Sequence, residues 1–267
     1  MLGSGSKKRR AGVQGTLLYM PAILIIFGIV VYPMLYALVM SFTGYSVRKP
    51  VMNFIGVANY IKILKDASFW QAVVRSLMFT FGSLIPQVVL GLAIAILLNH
   101  PDLRCKGLFR GLVIMPWLVP TVVVAMIFRW MFHDVYGIMN YILMKLHILK
   151  EPVAWMANEH TAMFILILAN VWRGVPMLIT MFLAGLQGIP YDLYEAGQID
   201  GANGWNQFSK ITLPLLMPVV MVSGILRFIW TFTFYFSNPL NPCLHIYKIY
   251  NLTIVFLLFH ILYSIFN

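Results

Sequence analysis

The sequence is poor in charged residues, and in acidic residues above all. Charged residues make up 10% of the 267 positions, and 8 Asp and Glu stand against 19 Lys and Arg. Soluble domains carry about 25% charged residues. The two cysteines, Cys105 and Cys243, lie far apart and form no CxxC pair. These shortages argue against a soluble domain, a disulfide framework and a cysteine metal site.

Motifs that carry ATP or metal chemistry are also missing. The chain has no GxxxxGK[ST] phosphate loop, no HExxH and no cluster of His and Cys. The predicted membrane spans contain no Asp or Glu, which argues against a carboxylate proton relay. We therefore expect no enzyme activity and no cofactor. If the protein uses ATP, the energy must come from another subunit.

Apolar residues dominate what is present. They make up 61% of the chain, and the mean hydropathy is +0.84. This composition predicts an all-α, polytopic membrane bundle of about six transmembrane helices. The predicted spans are residues 17–40, 76–98, 112–132, 161–186, 215–236 and 247–266.

The basic residues help to orient the chain. Residues 1–14 form a basic tail that we expect in the cytoplasm, and the first apolar run is too long for a signal-peptide core. The count of Lys and Arg outside the spans is equal on the two predicted sides, so it is no evidence for either orientation. The density of basic residues just before the first span favours a cytoplasmic tail. The net charge of +11 is scattered among apolar runs, which argues against a nucleic-acid partner.

A polar segment, residues 188–214, separates the fourth and fifth spans. Its core reads EAGQIDGANGWNQFSKITLP from Glu195 to Pro214. Asp192 and Glu195 lie where the first turn of a helix favours negative charge, and Gly201 permits a sharp turn. The pattern predicts a short helix, a turn and a second short helix over about 205–210, all outside the membrane.

This segment resembles the EAA loop of the permease subunits of binding-protein-dependent ABC importers. The resemblance implies that the segment faces the cytoplasm and docks on a separate ATPase subunit. Gly197 stands where the family usually has alanine, which predicts a helix looser by up to about 1 kcal/mol. The residues that carry the resemblance are Glu195, Ala196, Gly197, Asp200, Gly201, Ile211, Leu213 and Pro214.

Other stretches resemble the carbohydrate-uptake branch of the same family. They are FIGVANYIKILKDASFW at 54–70, YGIMNYIL at 136–143 and PVAW at 152–155. The resemblance covers about residues 15–232, and it implies an inner-membrane permease that translocates a sugar. It also implies partners: ABC ATPase subunits, a second permease subunit and an extracytoplasmic solute-binding protein.

The segment 237–267 departs from the family pattern. Its apolar run at 247–266 is barely long enough to cross a membrane and contains His260. Three interpretations stay open: a diverged sixth span, a truncated or altered end, and a helix that lies in the membrane interface.

Polar residues inside the fourth span are candidates for the substrate path. Asn170, Trp172 and Arg173 combine an amide, an aromatic ring and a guanidinium, a set that suits the faces and hydroxyls of a sugar. The alternative is that Arg173 pairs with a neighbouring helix. For Arg227, in the fifth span, we favour a structural role, because its sequence neighbours supply no other polar groups.

The sequence is also compatible with other functions. The cargo could be glycerol phosphate or another small polar solute, with Arg173 or Arg227 serving an anion. The chain could also be a truncated, non-functional subunit. A different class is an ATP-independent channel or membrane scaffold, which would tolerate Glu195→Lys and bind no ATPase.

Overall fold

The computed structural model describes residues 19–44, 53–101 and 103–236, apart from residue 22. The basic tail 1–14 and the segment 237–267, with its possible sixth span, lie outside the described residues. The helices are α1 (Tyr19–Ser41), α2 (Ala58–Leu64), α3 (Ala67–Asn99), α4 (Lys106–Leu118), α5 (Thr121–Met131), α6 (Ile138–Lys145), α7 (Glu159–Gln187), α8 (Asp192–Ile199) and α9 (Gly204–Tyr235).

Contacts divide the described residues into two units, one within 19–73 and the other covering 74–235. In the first unit, the end of α1 is tied to α2. The Asn59 amide donates to the carbonyl oxygens of Ser41 and Thr43, at 2.9 Å each, and the hydroxyls of Ser41 and Tyr60 are 2.6 Å apart. An isolated antiparallel bridge joins Thr43 to Phe54. These bonds fix how the chain leaves α1.

Two helices contain a wide π-helical turn just before a proline. In α1 the turn covers Phe27–Val31, and in α9 it covers Phe208–Thr212. Each turn ends two residues before a proline, Pro33 or Pro214. A proline ring normally clashes with the carbonyl four residues earlier, and a locally widened helix relieves that clash. Both helices therefore continue through their prolines.

The second unit is built on three long helices that contact one another. Arg75 and Glu159 form an ion pair of 2.8 Å at the start of α3 and α7, and Gly91 lies against Leu178 further along both helices. The helices α3 and α7 are therefore parallel. Gly185, near the end of α7, lies against Leu216, near the start of α9. The helix α9 is therefore antiparallel to α7.

The core of this unit lies between the same helices. Ala95, Leu178, Phe182 and Leu216 are fully buried, and they belong to one apolar cluster. Small residues allow the close packing, since a Cβ at Gly91 would lie 3.0 Å from the Leu178 side chain. Close approach at small residues is the usual way in which membrane helices associate.

Helices α4 and α5 form a bent pair with an angle of 90° between them. Val119 is extended and precedes Pro120, and a residue before proline is driven out of the helical region. Val113 packs on the α7 cluster around Leu178, whereas Val124 and Phe128 pack around Ile165, nearer the start of α7. Because α3 and α7 are parallel, the chain must return between them. We therefore interpret the bent pair as a broken span.

The structure confirms an all-α membrane bundle. Four described helices are long and apolar enough to cross a membrane, or five with the bent pair counted as one span. They match the first five predicted spans. The third is sharply bent between Leu118 and Thr121, and its first helix begins at Lys106, six residues before the predicted start at 112. Helix α3 begins at Ala67, earlier than the predicted 76, with Asp66 accepting from the Ser68 N–H before its first turn.

Candidate coupling segment and intramembrane polar cluster

The coupling segment, residues 188–214, begins with helix α8 and a tight turn. Gly201 has a φ of +78°, a conformation that favours glycine. The N–H of Ala202 donates to the Gly197 carbonyl at 2.8 Å, and the N–H of Gly201 donates to the Gln198 carbonyl at 3.0 Å. This pair of bonds is a Schellman motif, which satisfies the last carbonyls of a helix. The turn is therefore specified by Gly201.

Side chains then start the next helix and tie it back to α8. The Asn203 side chain accepts from the Asn206 N–H at 2.9 Å, which caps the new helix. The hydroxyls of Tyr194 on α8 and Thr212 on α9 are 2.9 Å apart. The predicted separate helix at 205–210 was wrong, because α9 runs from Gly204 through Pro214 into the span. The π-helical turn before Pro214 makes this continuity possible.

Gly197 has a packing role that the sequence did not indicate. A Cβ at this position would lie 3.0 Å from Cδ1 of Ile211 and 3.8 Å from Cβ of Ala202. Glycine therefore lets the Ile211 side chain close over α8. The low helical propensity of Gly197 destabilises α8, and the packing of Ile211 against α8 offsets this loss.

The outer surface of the coupling segment is apolar and acidic. Asp192, Glu195 and Asp200 are exposed on α8 or at its end. Large apolar side chains lie among them with high exposed fractions, namely Tyr191 62%, Leu193 42%, Ile199 87% and Trp205 72%. Exposed aromatic and aliphatic anchors within a polar rim are typical of protein–protein interfaces.

The residues of the EAA-like motif differ in their exposure and in their roles. Glu195, Ala196 and Asp200 are exposed, so they are available to a partner. Gly197, Ile211 and Leu213 are half-buried and hold the segment together, and Gly201 makes the turn. Pro214 is exposed where α9 leaves the segment.

A buried polar cluster joins the three long helices of the second unit. The Arg227 guanidinium donates through Nε to Oε1 of Gln87 at 2.7 Å, and through Nη2 to Oδ1 of Asn170 at 3.2 Å. Nε2 of Gln87 donates to the Asn170 carbonyl at 2.9 Å. Arg227 is 7% exposed and Gln87 is fully buried. A Cβ at Gly174 would overlap the guanidinium, so glycine makes the room for it.

Further polar atoms around this cluster are buried without a hydrogen-bond partner. They lie on α3, α7 and α9, the helices that Arg227 connects. A buried, unsatisfied polar group costs about 1–3 kcal/mol. The atoms are Oγ1 of Thr80, Oγ of Ser83, Nδ2 of Asn170, Nε of Arg173 and Oγ1 of Thr231.

The structure separates the three predicted substrate-path residues. Asn170 belongs to the buried cluster, and Arg173 is half-buried beside it with a buried Nε. Trp172 is 41% exposed, with its ring 6.1 Å from that of Phe128 on α5. The candidates therefore occupy two neighbouring faces of α7.

Sequence reasoning missed Gln87 and the partners of Arg227. Arg227 joins three helices, in keeping with the structural role that we favoured, but its polar partners come from residues distant in sequence. A signal was present in α3, where polar residues recur at helical spacing and are all fully buried, namely Ser76, Thr80, Ser83 and Gln87. A polar stripe within an apolar span predicts a face turned towards protein.

The chain is similar in sequence to known transport proteins. Residues 87–237 match the family described as binding-protein-dependent transport system inner membrane component. The trehalose/maltose transport system permease protein MalF of Thermococcus litoralis is 36% identical over 220 residues, which are 82% of this chain and 74% of MalF. The lactose transport system permease protein LacF of Rhizobium radiobacter is 33% identical, over 94% of this chain and 87% of LacF.

A solved structure shares the fold. It is the crystal structure of a bacterial ABC transporter involved in the import of the acidic polysaccharide alginate, with a TM-score of 0.75 and 19% identity over 97% of this chain and 93% of that one. The present chain belongs to the family of binding-protein-dependent transport system inner membrane components. It is a multi-pass inner-membrane permease subunit of an ABC importer, whose partners are ATPase subunits, a second permease subunit and an extracytoplasmic binding protein.

Proposed function

We propose that this permease translocates a carbohydrate, and that the coupling segment docks on the ATPase subunit. The observation that carries the docking proposal is the exposed apolar and acidic surface of the coupling segment, whose helix α8 is bonded to the span helix α9 through Tyr194 and Thr212. Force applied at Trp205, near the start of α9, passes directly into the membrane along an unbroken helix. A flexible loop would lose that movement.

The mechanism is alternating access. Closure of the ATPase dimer on ATP moves the coupling segment, and α9 carries that movement to the three-helix core. The bundle then changes from an inward-facing to an outward-facing state. The binding protein delivers cargo to the outward-facing state, and ATP hydrolysis resets the bundle.

A carbohydrate cargo is supported by the relatives and by the chemistry of α7. MalF is named for trehalose and maltose, and LacF for lactose. On α7, Trp172 is exposed and is followed in sequence by the half-buried Arg173. A flat ring stacks on the apolar face of a sugar, and a guanidinium donates to its hydroxyls.

Docking is tested by co-purification of the ATPase with the permease complex. Glu195→Lys places a cation in the exposed acidic surface, and we expect a roughly tenfold loss of bound ATPase, which corresponds to about 1.4 kcal/mol. Glu151→Lys is the matched control, because Glu151 is an exposed carboxylate outside the segment. Equal retention of ATPase by the two variants would overturn the docking proposal.

Cargo is tested by uptake into proteoliposomes that contain the complete transporter and its binding protein. We expect trehalose, maltose or lactose, but not glycerol phosphate, to compete for uptake. Trp172→Ala should lower uptake, whereas Trp130→Ala, at an exposed tryptophan of α5, should not. Competition by glycerol phosphate alone would reject a sugar cargo and leave the docking proposal intact.

A further inference from the structure

Arg227 connects the moving helix to the rest of the core. It lies on α9, the helix that begins in the coupling segment at Gly204. Its two hydrogen bonds reach Gln87 on α3 and Asn170 on α7. A displacement of α9 along or about its axis must therefore either carry these neighbours with it or break the bonds to them.

The partners of Arg227 are neutral. Both acceptors are side-chain amide oxygens, and the ion pair of Arg75 with Glu159 lies at the far end of α3 and α7. On α7, Arg173 brings a second cation to the same region. Hydrogen bonds from a guanidinium to amides are weaker than a bidentate ion pair. The connection is thus strong enough to order three helices, yet weak enough to break.

Atoms around the connection are left without partners in this arrangement. The hydroxyls of Thr80, Ser83 and Thr231 belong to residues that are less than 5% exposed, and Nδ2 of Asn170 is also buried and unpaired. Separation of α9 from α3 and α7 would admit water to these atoms. That would relieve the part of the cost of burial that comes from their missing hydrogen bonds.

We propose that Arg227 is a positioning residue that latches α9 to α3 and α7 in one state of the transport cycle and releases them in the other. This inference rests on the proposed docking of the coupling segment, which supplies the movement. The latch is distinct from a cargo contact, because Arg227 is enclosed by the three helices.

The test strengthens the latch without changing its shape. Asn170→Asp is isosteric, replaces the unpaired Nδ2 with oxygen and places a carboxylate against the Arg227 guanidinium. We expect a higher Tm of the complete transporter, together with a roughly tenfold fall in both cargo uptake and cargo-stimulated ATP hydrolysis. Gln87→Glu offers the same ion pair from α3 and should act in the same direction.

Weakening the latch should have the opposite signature. Arg227→Lys keeps the charge but loses the planar fork that reaches two helices. We expect higher ATP hydrolysis in the absence of binding protein and fewer cargo molecules transported per ATP. Asn158→Asp is the matched control, since Asp caps the start of α7 as well as Asn does.

Two outcomes would overturn the latch. Unchanged uptake by Asn170→Asp and Gln87→Glu with a raised Tm would mean that the connection is a permanent brace. A lowered Tm in both variants would mean that no ion pair forms. Retention of the ATPase by these variants, beside its release by Glu195→Lys, separates failure of the latch from failure of docking.

Discussion

At the scale of single residues, glycines decide where side chains of neighbouring helices can lie. Gly174 admits the Arg227 guanidinium, and Gly197 admits the end of Ile211. Gly201 is different, because its positive φ, rather than a neighbour, excludes larger residues. The EAA-like motif identified Gly201 from sequence alone, since a turn between two polar helices needs such a residue. The roles of Gly174 and Gly197 depend on residues distant in sequence.

The Gly197 contact makes a quantitative prediction. Gly197→Ala should change stability by less than about 0.5 kcal/mol, because a propensity gain of up to about 1 kcal/mol is offset by crowding with Cδ1 of Ile211. Ile211→Val removes that atom and relieves the crowding. The double variant should therefore be more stable, by about 0.5–1 kcal/mol, than the sum of the two single effects predicts. Thermal unfolding of the purified transporter measures this coupling.

A neighbouring position provides the control. Ala196 is exposed, so Ala196→Gly reports helix propensity without a packing change and should cost about 1 kcal/mol. Additive effects of Gly197→Ala and Ile211→Val would show that the two positions do not touch in the assembled transporter.

At the scale of elements, apolar length predicted the existence of the helices better than their ends. Helix α9 begins inside a polar segment and α4 begins at Lys106. Helical hydrogen bonding continues as long as each N–H finds a carbonyl, whatever the polarity of the side chains. Hydropathy depends on side chains alone, so it predicts that such helices begin later in the sequence than they do.

The broken span is testable as a distance. At 1.5 Å per residue, α4 and α5 are about 20 Å and 16 Å long, so a 90° bend sets their far ends about 25 Å apart, against about 38 Å for a straight helix from residue 106 to residue 131. Spin labels at Lys106→Cys and Met131→Cys, with Cys105 and Cys243 replaced by serine, should report the shorter distance by pulsed EPR. Pro120→Ala should lengthen it, and a value near about 38 Å in the parent would contradict the bend.

At the scale of the whole molecule, helix directions show which loops lie on the same side of the membrane. Because α3 and α7 are parallel, the loop after α3 lies on the same side of the membrane as the coupling segment. That loop contains Arg104 and Cys105. With the coupling segment docked on the ATPase in the cytoplasm, as we propose, the loop between α5 and α7 is extracytoplasmic. Lys and Arg outside the spans were equal in number on the two predicted sides, so their count alone left the orientation open.

The exposed thiol of Cys105 tests this orientation directly. In spheroplasts, a membrane-impermeant maleimide should leave Cys105 unlabelled and should label Lys145→Cys in the opposite loop. Both should be labelled after lysis. The variant Cys243→Ser removes the second thiol from the background. Labelling of Cys105 in intact spheroplasts would invert the proposed topology.

The self-contained bonding of the coupling segment has a kinetic consequence. Its turn, its Asn203 cap and its Tyr194–Thr212 contact are internal to the permease, so the segment is already folded before it meets another subunit. A preformed surface pays little ordering entropy on binding. Diffusion and charge should therefore determine how fast the ATPase subunit associates with the segment. The dissociation rate should determine how fast ATPase subunits exchange.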